Sequence, residues 1–71
     1  MRAAVEIDYN GTKYRSNYSG DKDEIKTMHR MAENASKGVF THLEFSGNGT
    51  KYFFPAKVLE LSVIKVVTKS F

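Results

Sequence analysis

From Ala3 to Tyr9 apolar and polar residues alternate, with Ala3, Val5, Ile7 and Tyr9 on one side and Ala4, Glu6 and Asp8 on the other. That period of two predicts a half-buried strand over Arg2 to Tyr9. Asn10-Gly11 follows, a pair suited to a type I′ turn because both central residues need positive φ. Folding the chain back about it sets Tyr9 against Thr12, Asp8 against Lys13, Ile7 against Tyr14 and Glu6 against Arg15. Two opposite-charge pairs then share one face and an apolar–aromatic pair the other. A slip of one residue would destroy both patterns, so the register is specified.

After the turn-rich Asn17-Tyr18-Ser19-Gly20, the period becomes helical. Ile25, Met28, Ala32 and Ala35 recur at helical spacing within Asp21 to Lys37, the one stretch that predicts a helix of more than two turns. Asp21 suits an N-cap, with Glu24 three residues on. Asp21, Asp23 and Glu24 also set negative charge at the positive end of the helix dipole. Gly38, just past Lys37, suits the left-handed residue that ends a helix. On another face Lys22, Lys26 and Arg30 recur every four residues, a basic ridge that Asn34 and Lys37 would extend.

Val39 to Phe45 predicts a further strand, with Val39, Thr41, Leu43 and Phe45 on one face and Phe40, His42 and Glu44 on the other. Two registers are open for the strand after it. A type I′ turn at Asn48-Gly49 pairs Phe45 with Tyr52, Leu43 with Phe54 and Glu44 with Phe53. A four-residue loop instead pairs Glu44 with Lys51. Pro55 stops the ladder and suits the first position of a single helical turn over Pro55 to Glu60. Ser62 to Thr68 is β-branched and predicts the last strand. Its apolar residues fall on both faces, Val63 and Val67 on one and Ile64 and Val66 on the other.

The resulting order is ββαβββ, an α+β fold with an antiparallel sheet and the helix on one face. Ile25, Met28, Met31, Ala32 and Ala35 are expected to meet Val5, Ile7, Tyr14, Leu43, Phe45, Tyr52, Phe54 and Val63 or Val67. The opposite face would carry Phe40, His42, Phe53, Ile64 and Val66 beside Glu44. An apolar patch of that kind marks an interface, so a homo-oligomer through it, most simply a two-fold dimer, is expected. Closure of the face by the Pro55–Leu61 segment or the chain ends is the alternative.

Composition narrows the picture further. Seventy-one residues make a single domain that buries roughly 60% of its unfolded surface, so disulfides, a metal or a partner usually assist. The chain has no Cys, and His29 and His42 are its only two histidines, too few for a zinc site. A partner subunit remains. Lys and Arg number 11 against 8 Asp and Glu, for a net charge of +3, which suits an acidic partner. No apolar run approaches the ~18 residues that span a bilayer. Met1 to Glu6 meets a charge before any apolar core forms, so no signal peptide is expected and a cytoplasmic setting is. The four Asn-x-Ser/Thr sequons, at Asn10, Asn17, Asn34 and Asn48, are then turn and surface chemistry.

Candidate chemistry points to binding and away from catalysis. No Cys nucleophile and no phosphate loop of Walker or Rossmann type is present. His42 and Glu44 are only i, i+2 neighbours on a strand face, a poor basis for acid–base work. No cofactor is expected. The candidate ligand-binding residues are Lys22, Lys26 and Arg30 with Arg15 and Lys51, and the ligand an anion: a nucleotide-like molecule or an acidic protein surface. The alternative is a nucleic acid bound on the same ridge with Arg15 and Lys51, Tyr18 being the one tyrosine off the predicted core face and free to stack.

The segment Phe54-Pro55-Ala56-Lys57-Val58-Leu59-Glu60-Leu61-Ser62-Val63-Ile64 is similar to one in small uncharacterised proteins of phages and prophages of Gram-positive bacteria. Those chains have a similar length, open with a strand–Asn-Gly–strand hairpin and continue through one helix. They end with a Pro-x-x-x-Leu-x-x-Ser-hydrophobic-Ile run. Here Val58-Leu59 occupies the turn, and the strand after Ser62 has fewer acidic residues than that pattern. The resemblance implies an accessory phage product that binds a host factor or sequesters a small signalling ligand, and it carries over no catalytic residue.

Overall fold

The computed structural model describes residues 1–39 and 42–70. The elements are β1 (Arg2–Tyr9), β2 (Thr12–Arg15), α1 (Lys22–Ser36), β3 (His42–Gly47), β4 (Thr50–Pro55), α2 (Ala56–Glu60) and β5 (Val63–Lys69). The fold is α+β with antiparallel strands in the expected ββαβββ order, α2 being the short turn after Pro55. The strands form two sheets, β2-β1-β5 and β3-β4, where one was expected.

Both hairpins turn on Asn-Gly. Asn10 and Gly11 have φ of 56° and 84°, Asn48 and Gly49 of 53° and 75°, the type I′ signature that matches strand twist. The first register is the expected one, Glu6 to Arg15 through Tyr9 to Thr12. In the second, Leu43 pairs with Phe54, Glu44 with Phe53 and Phe45 with Tyr52. The two-residue turn therefore holds, and Glu44 reaches Lys51 diagonally, at 3.5 Å.

A β-bulge explains why the sheet divides. Ser16 donates its N–H to the Val5 carbonyl, and Ser19 exchanges two bonds with Ala3. Between those points β1 advances two residues and its partner three, so one residue is extra and the ladder turns aside. The Ser16 hydroxyl accepts from the Val5 N–H at 2.9 Å. Asn17 leaves β1 and donates to the Ser46 carbonyl of β3 at 2.8 Å, while its side-chain oxygen accepts from the Asn48 N–H. Gly47 sits so close to the Arg15 carbonyl that a side chain there would collide with it.

The α1 ends follow their sequence signals. The Asp21 carboxylate accepts from the N–H groups of Asp23 and Glu24 at 2.8 and 3.0 Å. At the other end Gly38 bonds back to Ala35 and Val39 to Asn34, with Gly38 at φ 74°, a Schellman closure.

The core gathers Val5, Ile7, Leu43, Phe45, Phe54 and Leu59, with Tyr14, Met28, Met31, Tyr52, Val58 and Ile64 packed against them. Tyr14 lies edge-on to Tyr52 and Phe54, with ring centroids 5.3 and 5.5 Å apart. These aromatics bind the two sheets together. The helices share the work: α1 packs on β1 and β5, and α2 packs on β3 and β4.

The face of β5 differs from expectation. Ile7 pairs with Ile64 and Val5 with Val66, and antiparallel partners share a face. Ile64 and Val66 therefore lie on the α1 side, and Val63 and Val67 on the other. Periodicity could not choose between two β-branched faces; the pairing with β1 does. Central β1 is buried from Ala3 to Ile7.

Candidate anion-binding face of the helix

Glu6 lies on the sheet face away from α1, yet is only 2% exposed. Its Oε1 accepts from Arg15 Nε at 3.2 Å and Nη2 at 2.8 Å, and its Oε2 lies 3.3 Å from Lys65 Nζ. The Arg15 hydrogen bonds hold the Glu6 carboxyl below its ordinary value. Burial opposes this, and Lys65 adds to the lowering. Arg15 and Lys65 are each about half exposed, so the carboxylate lies under a single layer of side chains, and pairing outweighs desolvation.

A depressed carboxylate contributes stability that is present above its unfolded value, near 4.3, and is lost as pH falls through the folded one. Thermal melts from pH 7 to pH 3 are expected to lose stability in the acid part of that range. Glu6→Gln should be about 1–2 kcal/mol less stable at neutral pH, because the charge-assisted bonds weaken while their half-exposed donors rehydrate. It should also show a flatter acid slope. Glu33, lowered by Lys37, acts in the same direction from a solvated surface, where such pairs count for little.

This pairing divides the five candidate ligand residues. Arg15 is held by Glu6 and Lys51 by Glu44, both on sheet faces turned away from the core. Lys22, Lys26 and Arg30 are exposed along α1. Among the described residues they have no carboxylate within ion-pair distance. A four-residue step is about 6 Å of helix rise, so the three cations span roughly 12 Å. Lys37 does not extend the row, because it pairs with Glu33 at 2.8 Å. The Asn34 carbonyl is taken up in the helix closure.

Beside the row lies a groove of about 380 Å³, lined by Met1, Lys22, Asp23, Ile25, Lys26 and His29. Two ammonium groups, an imidazole and the Asp23 carboxylate edge it, and Met1 and Ile25 supply an apolar wall. His29 is the member that sequence reasoning left out of the ligand set. Its signal was there: it stands three residues after Lys26 and seven after Lys22, on the same helix stripe.

The expected oligomer face does not assemble as a unit. Phe40 lies outside the described residues. His42 and Phe53 stand on the outer face of the β3–β4 hairpin, Phe53 being 67% exposed. Ile64 and Val66 are on the α1 side of the other sheet. A second cavity, about 340 Å³, opens between α1 and the seam, with Val5, Met28, Met31 and Phe45 within and Asp23 and Glu24 at its rim. Among the described residues no cluster of His, Cys, Asp and Glu could hold a metal ion, and no helix is long and apolar enough to cross a membrane.

The fold and this face define a small α+β protein that displays a basic helix stripe with no carboxylate partner among the described residues. No family model, no curated protein and no solved structure matches the chain.

Proposed function

We propose that the protein is a non-enzymatic binding module that takes an anionic group on α1, with Lys22, Lys26 and Arg30 as its cationic contacts. The observation that carries this reading is the row itself: Lys22, Lys26 and Arg30 stand exposed four residues apart on one helix, with no carboxylate partner among the described residues. Arg15, Lys51 and Lys65 each have such a partner, and Lys13, Lys57 and Lys69, which have none, stand apart on separate elements. Helix stability does not favour the arrangement. Like charges four apart cost a few tenths of a kcal/mol per pair, and Lys22 sits at the positive end of the dipole. A nucleotide-like molecule fits the groove chemistry, with phosphates on Lys22 and Lys26 and an apolar portion against Met1 and Ile25.

The resemblance to phage and prophage proteins supports an accessory role in the cytoplasm, in which a small oligomer sequesters a signalling nucleotide or covers an acidic host-protein surface. The nucleic-acid reading draws less support, because Arg15 and Lys51 stand on faces away from α1 and do not continue the ridge.

Titration of the protein with AMP, a cyclic dinucleotide and inorganic phosphate, followed by amide chemical shifts, tests the proposal. Shifts are expected along Lys22 to Arg30. Lys26→Glu/Arg30→Glu should weaken the best ligand at least tenfold, and Lys51→Ala should leave it unchanged. Shifts confined to the Arg15 and Lys51 faces, or none with any probe, would sink it. A duplex or single strand bound through three phosphate contacts would instead show a log–log salt slope of about −2 to −3.

A further inference from the structure

The outer edge of β5 has no strand beside it among the described residues. In the β1–β2 ladder Ala3 exchanges two bonds with Ser19, and Val5 accepts from Ser16. The odd residues of β1 thus turn their backbone groups towards β2. Its even residues, Arg2, Ala4, Glu6 and Asp8, turn theirs towards β5, where they face Lys69, Val67, Lys65 and Val63. By the alternation of an antiparallel ladder, Ile64, Val66 and Thr68 must direct their N–H and C=O groups outward. Among the described residues no strand lies on that side, and no backbone or side-chain group outside the sheet bonds to those three. The opposite end of the fold is blunted. By the same alternation β4 turns Lys51, Phe53 and Pro55 outward, and Pro55 has no N–H to give.

We infer that β5 pairs with β5 of a second copy of this chain, antiparallel about a two-fold axis at Val66, to make one continuous six-stranded sheet. The lysines choose the register. With Val66 on Val66, Ile64 meets Thr68 and Lys65 meets Val67. All three outward residues then sit in hydrogen-bonded pairs, for about six ladder bonds. Shifting one way sets Lys65 on Lys65, and shifting the other sets Lys65 on Lys69, and like charges directly opposite are destabilising. The pairing leaves α1 and its basic stripe outside the ladder, and it moves the expected dimer from the face carrying Phe53 to the β5 edge. This inference rests on the oligomer within the proposed function and not on the anion site.

Native mass spectrometry and light scattering of the protein at about 100 μM provide the test, with the amide titration above reading the anion site separately. The expected mass is twice the 8.1 kDa of one chain. Val66→Pro removes an outward N–H and no bond to β1, so it should keep the far-UV circular dichroism and give the monomer mass. Val67→Lys sets an ammonium opposite Lys65 of the second copy, and it should raise the dimer dissociation constant at least tenfold at low salt. Val67→Glu should leave it equal or lower. A monomeric unmodified protein, a folded Val66→Pro that stays dimeric, or equal effects of the two Val67 variants would each overturn the inference. If Val66→Pro does not fold, the Val67 pair decides.

Discussion

Gly47→Ala is expected to cost the fold about 3 kcal/mol, the upper end of what overpacking does, because the added Cβ would meet backbone. The atom in its way is the Arg15 carbonyl oxygen, with the Ser16 Cα close behind. A flexible side chain could swing aside, but this carbonyl belongs to the end of β2, next to the bulge. Moving it would pull Asn17 off the Ser46 carbonyl, the backbone bond that ties the bulge to β3. A domain of this size has about 4–11 kcal/mol in all, so the loss is a large share. For 60–100 residues each kcal/mol is worth roughly 4–8 °C, so the midpoint of a thermal melt should fall by about 12 °C or more. Gly49→Ala makes the contrast. That glycine has φ 75° and open space around it, so only backbone strain of about 1 kcal/mol opposes the change. Equal melting points for the two variants would mean that the seam is not a close backbone contact.

The same seam shows where sequence reading stops. The first hairpin was legible because Asn-Gly fixes a local turn, and a local turn fixes register; at Asn48-Gly49 the sequence also admitted a four-residue loop, and only the structure decides for the two-residue turn. The α1 boundaries were legible for the same reason, since Asp21 and Gly38 act within one turn of the helix. Gly47 gave no such signal. It lies beside the Asn48-Gly49 turn and reads as turn chemistry, whereas its requirement comes from a strand about thirty residues away. Ile64 and Val66 were misplaced because β5 is β-branched on both faces, and only its pairing with Ile7 and Val5 decides which face meets α1. With Ile64 packed against the core on the α1 side, Ile64→Lys is a core lesion and not a test of an oligomer.

The candidate site divides along the same line. The ridge Lys22, Lys26, Arg30 follows from helical period alone, and the structure leaves it exposed. The structure places Arg15 and Lys51 apart from the ridge, each on a carboxylate, and an i, i+4 rule says nothing about which side of a sheet a strand residue takes relative to a distant helix. The Glu6–Arg15 pair was visible in the first hairpin. Its third member, Lys65, and the burial of Glu6 were not, since both depend on β5 returning to the far side of β1.

Phe54→Ala should destabilise the protein by about 3–5 kcal/mol, whereas Phe53→Ala, one residue away, should change stability by no more than about 0.5 kcal/mol. Phe54 is 5% exposed and stands at the centre of the ring cluster. Its centroid lies 5.5 Å from Tyr14 of one sheet and 5.2 Å from Phe45 of the other. Truncation would open a cavity in the core cluster that Phe54 shares with Phe45 and Leu59, and ring contacts worth about 0.5–1.5 kcal/mol each would go with it. Phe53 faces out beside Glu44 and buries little. The comparison therefore reads the register of the second hairpin directly. A slip by one residue would exchange the two phenylalanines between core and surface, and the two variants would exchange their effects in chemical denaturation. The expected midpoints are well separated, with Phe54→Ala low and Phe53→Ala beside the unmodified protein. The opposite order would overturn the pairing of Leu43 with Phe54 and, with it, the aromatic bridge that holds the two sheets as one core.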